Sequence, residues 1–221
     1  DSRQSRGLGD VYKRQITIKS GTSNYGGVFF ADGTTGDQQY RGFIQYNHNY
    51  AGSTDELLFG TSGGTRFRIA SDGSLSTPTA GTSNVRFGVN AGNSIASGGN
   101  YNVVVGDEAG TAITTGDQNV AVGYNALITE DTGSRSIAIG SSALKLQNVG
   151  DVNAYNIGIG HNAGINITTG VQNTLIGGLA GDALQDADFN IALGYLSLSS
   201  DTLGSKSIAI GAGSLLSLIH I

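Results

Sequence analysis

Cysteine, methionine and tryptophan are absent from this chain of 221 residues, and proline occurs once. Without cysteine there is no disulfide framework and no thiol chemistry, which leaves the redox compartment open. No stretch reaches the roughly 20 apolar residues that a membrane-spanning helix requires. Basic side chains are also scarce, because residues 81–215 contain four of them: Arg86, Arg135, Lys145 and Lys206. Because so few cations cannot neutralise a phosphate backbone, we predict no nucleic-acid binding by this segment. The missing apolar stretch likewise predicts no membrane insertion.

The groupings that enzymes and metal proteins use are missing as well. No Ser/His/Asp set and no phosphate-binding loop can be identified. His48 and His161 are isolated from other metal-binding residue types. Calcium-binding solenoids place an acidic residue at a fixed position of every repeat. The acid pairs at 107–108 and 130–131 do not recur in this way. The sequence therefore predicts no enzyme activity, no cofactor and no metal site.

The two ends of the chain have an unusual relation to each other. Residues 10–15 and 216–221 can be back-translated into DNA strings that are reverse complements. Unrelated protein termini have no reason to show this relation, whereas a transposon end used in sequencing-library preparation would produce it. We therefore interpret residues 1–15 and 216–221 as translated adapter, exclude them from fold reasoning, and expect the chain to be a fragment of a longer protein.

Glycine is abundant, at 36 residues, and one glycine recurs at nearly constant spacing. The steps are 18, 17, 17, 20, 17, 17 and 17 residues. A short fixed period in a glycine-rich, β-branched context is typical of a solenoid, in which each coil packs only on its neighbours. The eight repeat glycines are Gly88, Gly106, Gly123, Gly140, Gly160, Gly177, Gly194 and Gly211.

Positions in each coil can be numbered from its repeat glycine. Positions −3 and −1 are large and apolar in nearly every coil, as in Val120 and Val122, which predicts a short strand with these side chains buried. Position −4 is Asn or Ser, and we expect stacked amides to hydrogen-bond from coil to coil. Position −7 is mostly glycine, for which we expect a tight turn with positive φ.

Two further positions compensate for each other in volume. Coils with Gly at +4 carry Ile or Leu at +7, whereas the three coils with Leu at +4 whose +7 position precedes residue 216 carry a polar residue there. A close-packed core tolerates such an exchange and penalises doubling the volume. The two coil types alternate in pairs, which gives a longer period of about 71 residues and predicts one large apolar group per coil from this layer.

Position −2 is a row of mostly small apolar residues. A solvated strand face should instead carry Thr, Lys, Glu or Ser. We therefore predict that position −2 points away from the coil core and is covered in an oligomer, most simply a homotrimer. The residues of this predicted oligomer face are Val104, Ala121, Ala138, Leu175, Ala192 and Ala209.

Residues 16–80 lack the period and form a separate small β-rich module. Short apolar and aromatic runs at 16–19, 27–30, 41–46, 56–59 and 65–69 predict strands that glycine turns separate. Pro78 lies in a Ser/Thr/Ala/Gly stretch that marks the boundary. The fold class that follows is all-β: this module, then a parallel β-solenoid over residues 81–215 with eight coils of about 17 residues.

The frame Asn-x-Ala-Ile/Val-Gly-x-x-Ala, seen at 119–126 and in a variant at 207–214, resembles the head repeats of trimeric autotransporter adhesins (YadA-like). Together with the motifs at 29–33, 40–48 and 66–73, it is similar to tail-fibre and structural proteins of environmental phages. The resemblance implies a left-handed β-roll, a homotrimer and no catalytic residues. It also implies a place in the virion, as a tail-fibre segment that attaches to a host-surface glycan or protein.

Three alternatives stay open at this level. The first is the head of a trimeric autotransporter adhesin on the bacterial outer surface. The second is an ice-binding solenoid, although Thr-Thr pairs occur only at 114–115 and 168–169. The third is an enzyme on a left-handed β-helix, such as an acyltransferase, which would show three apolar hexapeptide positions per coil rather than one dominant strand. We favour the phage tail fibre, and we interpret the three extra residues near 150–153 as a neutral loop extension.

Overall fold

The computed structural model describes Ile18, residues 25–48 and residues 55–216. The predicted adapter segment 1–15 and nearly all of the predicted strand at 16–19 lie outside these residues. The chain divides into two compact units between Leu75 and Ser76.

The N-terminal unit is an antiparallel sheet built around four six-residue strands. These strands are β1 Tyr25–Phe30, β2 Gly42–Asn47, β3 Glu56–Thr61 and β4 Gly64–Ile69. A 3-10 helix, Gly36–Tyr40, lies between β1 and β2, and the two-residue strand β5, Leu75–Ser76, completes the order β1-β2-β3-β4-β5. A β-bulge between Phe59 and Gly60 shifts the register of β3 on β4.

The second unit is a single parallel sheet of eight three-residue strands, one per coil. Each strand pairs with the next in exact residue register, so that Val120 lies between Val103 and Ile137. An all-β fold with a parallel solenoid of about 17 residues per coil is thereby confirmed, whereas its left-handedness stays a prediction. The strands are β6 Val85–Phe87, β7 Val103–Val105, β8 Val120–Val122, β9 Ile137–Ile139, β10 Ile157–Ile159, β11 Thr174–Ile176, β12 Ile191–Leu193 and β13 Ile208–Ile210.

The predicted direction of the strand side chains is wrong. Position −2 points into the coil, so its residues belong to the solenoid core of a single chain and cannot form an oligomer face. They are small because they share the interior with the large side chains at +4 and +7. The six residues of the predicted oligomer face are 0% or 1% exposed: Val104, Ala121, Ala138, Leu175, Ala192 and Ala209.

The volume exchange between +4 and +7 is confirmed. Leu127 and Leu144 at +4 are fully buried, and so are Ile113 and Ile167 at +7 of the other coil type. A Cβ on Gly110 would lie 2.8 Å from Ile113 Cδ1 and 2.7 Å from Val104 Cγ1. Position −2 therefore takes part in the exchange, because all four coils with Leu at +4 carry alanine there.

The repeat glycine is required for two reasons. All eight have φ between 112° and 135°, a region that L side chains rarely adopt. In addition, a Cβ on any of the first seven would lie 2.4 to 2.8 Å from backbone atoms of the next repeat glycine. Adjacent coils thus make backbone-to-backbone contact at this corner.

The asparagines at −4 are buried and stack from coil to coil, as predicted. In most coils, however, their side chains hydrogen-bond to backbone groups of the next coil rather than to the next asparagine's amide. Asn119 Oδ1 accepts the N–H of Ser136 at 2.9 Å, and its Nδ2 donates to the carbonyl of Gly133 at 2.9 Å. The −7 glycines, such as Gly116, do not have the predicted positive φ. They are needed because a Cβ on Gly116 would lie 2.4 Å from the Gly133 carbonyl oxygen.

Candidate functional site

The solenoid presents a continuous apolar surface along its sheet, which we call the outer face. It consists of the −3 and −1 side chains of the eight strands, which point away from the core and are partly exposed. At the two ends the exposure is largest, with Phe87 at 53% and Ile210 at 67%. The outer face is formed by Val85, Phe87, Val103, Val105, Val120, Val122, Ile137, Ile139, Ile157, Ile159, Thr174, Ile176, Ile191, Leu193, Ile208 and Ile210.

The outer face is flat, regular and free of charge. Thr174 is its one polar side chain. Eight strands at about 4.8 Å and three residues at about 3.3 Å give a patch of about 38 by 10 Å, or roughly 400 Å². The largest apolar patch on a monomeric protein is commonly of this size and is often functional, so the outer face is a candidate interaction site.

Polar and aromatic side chains flank the strands at −5. Tyr101 and Tyr155 are about half exposed there. Arg135 Nη1 donates to the Tyr155 hydroxyl at 2.7 Å, and Arg135 Nε donates to Gln118 Oε1 at 3.1 Å. The Arg135 guanidinium also lies 5.6 Å from the Tyr155 ring centre. These contacts give the apolar patch a hydrogen-bonding rim.

The sequence-predicted metal candidates do not come together. His48 packs edge-on against Tyr46, with ring centres 4.6 Å apart, and His161 is exposed in a turn of the solenoid. Glu108 binds Asn90 Nδ2 and the Thr111 hydroxyl. Within the described ranges, no three His, Cys, Asp or Glu side chains are grouped as a metal site would require.

A buried carboxylate lies inside the solenoid. Glu130 is 0% exposed, and its Oε1 accepts the N–H of Gly133 at 2.9 Å. Its Oε2 accepts Gln147 Nε2 at 2.7 Å, and Gln147 Oε1 accepts Asn156 Nδ2 at 2.9 Å. Because every contact is to a neighbouring coil or turn, the network joins coils across the place where Ser136 replaces the usual asparagine.

An exposed acid of the solenoid, Asp186, has a lowered pKa. The Thr168 and Thr169 hydroxyls donate to Asp186 Oδ1 at 2.6 and 2.8 Å, and these bonds hold the pKa of Asp186 below its usual value. The carboxylate belongs to the next coil, so the contact adds a further connection between coils rather than a reactive group.

The sequence reasoning missed a second side-chain ladder, at position −6. Asp117 accepts the N–H of Asn100 at 2.6 Å, and Ser134 Oγ accepts the N–H of Asp117 at 2.9 Å. At the three-residue insertion the Ser134 N–H donates to the Val152 carbonyl instead. The recurrence of Asn, Asp and Ser at −6 is the sequence pattern that could have predicted this ladder.

The comparisons with known proteins give no relative. No protein-family model, no curated protein and no solved structure matches this chain. Among the residues that the structure describes, no helix is long and apolar enough to cross a membrane. What the molecule can do must therefore be argued from its surfaces.

Proposed function

We propose that this chain is a structural segment of a homotrimeric phage tail fibre that attaches to the host surface. It would act by reach and adhesion, without catalysis, as part of the virion. The observation that carries the proposal is the outer face, a charge-free apolar surface running the length of a solenoid whose buried asparagines bond one coil to the next.

Two features support the fibre role. The solenoid's backbone is tied from coil to coil by strand pairing, by the −4 asparagines and by the −6 ladder. Such quasi-one-dimensional stacking makes a rod whose stability is spread over many equivalent contacts. The outer face supplies what a multi-chain fibre needs in addition, namely a long surface for lateral association of copies.

The number of copies comes from the resemblance to trimeric adhesin heads and phage fibres. The chain association itself is supported by the outer face, since a monomer would leave it in water. Surfaces away from the outer face, including the exposed turns, would remain free for a host-surface glycan or protein.

The first test is the mass of the protein in solution, measured by light scattering after sizing chromatography. We expect three times the chain mass. Ile139 is 38% exposed on the outer face, and Ile139→Lys should shift the mass toward one chain because a buried lysine has no partner there. Gln185→Lys adds the same charge at an exposed turn position and should leave the trimer intact.

The second test addresses attachment. Dye-labelled trimer should bind intact cells of at least one strain in a bacterial panel, saturably and in competition with unlabelled trimer. A wild-type monomer in the first test would overturn the oligomer, and unsaturable or absent binding across the panel would overturn the adhesive role.

A further inference from the structure

The two faces of the N-terminal sheet differ in charge. On one face, Gln45 Nε2 donates to Asn47 Oδ1, Asn47 Nδ2 donates to Glu56 Oε1 at 2.8 Å, and Arg68 pairs with Glu56 at 3.6 Å. This face carries the polar groups of three neighbouring strands. The same face also carries Leu58, which is only 8% exposed, so it mixes charged and apolar groups.

The opposite face is apolar throughout its two central rows, and we call it the module face. Directly paired residues share a face, so the register places Val28, Ile44, Phe59 and Phe67 in one row across four strands. The next row runs through Gly26, Tyr46, Leu57 and Ile69. Neither row contains a charged side chain.

The described residues leave the module face partly exposed. Val28 is 43% exposed, Ile44 42% and Tyr46 38%. Within the described part of this unit, only Leu58 and Gly60 are buried. Domains bury such a face against a second layer, and these partly exposed side chains leave surface for one.

We propose that further copies of this chain cover the module face, making it a second self-association surface separate from the outer face. The partner is a further copy of this chain, as in the proposed homotrimer, so this proposal rests on the proposed function. It places chain–chain contacts in the N-terminal unit as well as in the solenoid.

Area and composition favour a second copy as the occupant. Four strands at about 4.8 Å and six residues at about 3.4 Å give the module face roughly 400 Å². The outer face has a similar area, so either one alone falls short of the about 800 Å² that each partner contributes to a standard interface. Together they reach it. Phe and Tyr are also the side chains in which interface cores are enriched.

The competing occupant is the chain's own N-terminal segment. Ile18, which is 51% exposed, lines a groove over the module face together with Val28, Ile44 and Tyr46. The test must therefore separate cover by the same chain from cover by another copy.

The absence of cysteine makes this test direct, because a single introduced thiol is the only one in the full chain. Ile44→Cys places it on the module face, and Arg68→Cys places it on the polar face at similar exposure, 42% for Ile44 and 46% for the Arg68 side chain. The measurement is the rate of reaction with a maleimide, in the trimer and in the Ile139→Lys background that removes the outer-face association.

We expect the Ile44→Cys thiol to react at least tenfold more slowly than the Arg68→Cys thiol in the trimer. That protection should disappear in the Ile139→Lys monomer. Protection that persists in the monomer would assign the cover to the chain itself and overturn the inference. Fast reaction of Ile44→Cys in a wild-type-mass trimer would also overturn it while leaving the proposed function standing. A wild-type monomer would instead overturn both self-association surfaces.

Discussion

In most strands of this solenoid, the buried side chain at −2 is smaller than the partly exposed side chains at −3 and −1. At −2 the residues are small and fully buried, whereas at −3 and −1 they are large and partly exposed, as Ala121 and its neighbours Val120 and Val122 show. A prediction based on hydrophobicity alone assigns the larger residues to the core. The interior of a coil this narrow is filled largely by +4 and +7, so every coil with Leu at +4 carries alanine at −2, whereas Leu175 fits at −2 because Gly181 occupies +4.

At the residue scale, Gly123→Ala should be strongly destabilising. Gly123 has φ 129°, and a Cβ there would lie 2.7 Å from Gly140 backbone. Strain at such a φ costs about 1–3 kcal/mol before the clash is added, so we expect a loss above about 3 kcal/mol.

Gly150→Ala is the matched control, because Gly150 also has positive φ, 70°, but a Cβ added there would meet nothing within 4 Å. It should cost only about 1 kcal/mol. Thermal unfolding of both variants measures the difference. Equal losses would show that the contact between coils does not matter.

At the element scale, one coil should convert to the other packing type. Ala121→Leu alone overpacks a coil that already holds Leu127, at a cost of about 1–3 kcal/mol. Leu127→Gly alone leaves a cavity and should cost roughly 2–5 kcal/mol. The coil with Leu175 at −2 and Gly181 at +4 holds this same pair, with Leu184 rather than a polar side chain at +7.

The double variant should therefore lose less than the sum of the single losses, by about 1–3 kcal/mol. Chemical denaturation of the three variants gives this coupling energy. If the losses of unfolding free energy were strictly additive, the side chains at −2 and +4 would not pack into the same part of the core.

Much of the architecture could be predicted because the period, the glycine and the +4/+7 exchange are properties of each coil. The strands at 27–30 and 56–59 follow from apolar runs between turns, and they lie within β1 and β3. The outer face could not be predicted in the same way. Three residues per strand give too little alternation to orient them, and only the alanine at −2 of every coil with Leu at +4 carried that information.

At the scale of the whole molecule, the solenoid should tolerate removal of one complete coil. Deleting residues 107–123 joins Gly106 to Tyr124 and leaves the next coil in register, so seven strands should still form one sheet, although Val104 then shares a coil with Leu127 and crowds it. Circular dichroism and thermal unfolding should show a cooperative transition at a somewhat lower temperature.

Deleting the nine residues 107–115 is the control. It removes about half a coil, so strands and turns would meet out of phase and the cooperative transition should be lost. If both deletions behave alike, stacking register is not what holds the solenoid together.

The pairing of coil types has a consequence for how such a gene can change length. Moving from Leu127 to Leu198, or from Gly110 to Gly181, covers 71 residues and returns to a coil with the same +4 residue. Unequal recombination that gains or loses a block of this length would bring together coils whose interiors already match. The rod could then lengthen or shorten in inherited steps of four coils, about 19 Å each, without any compensating substitution.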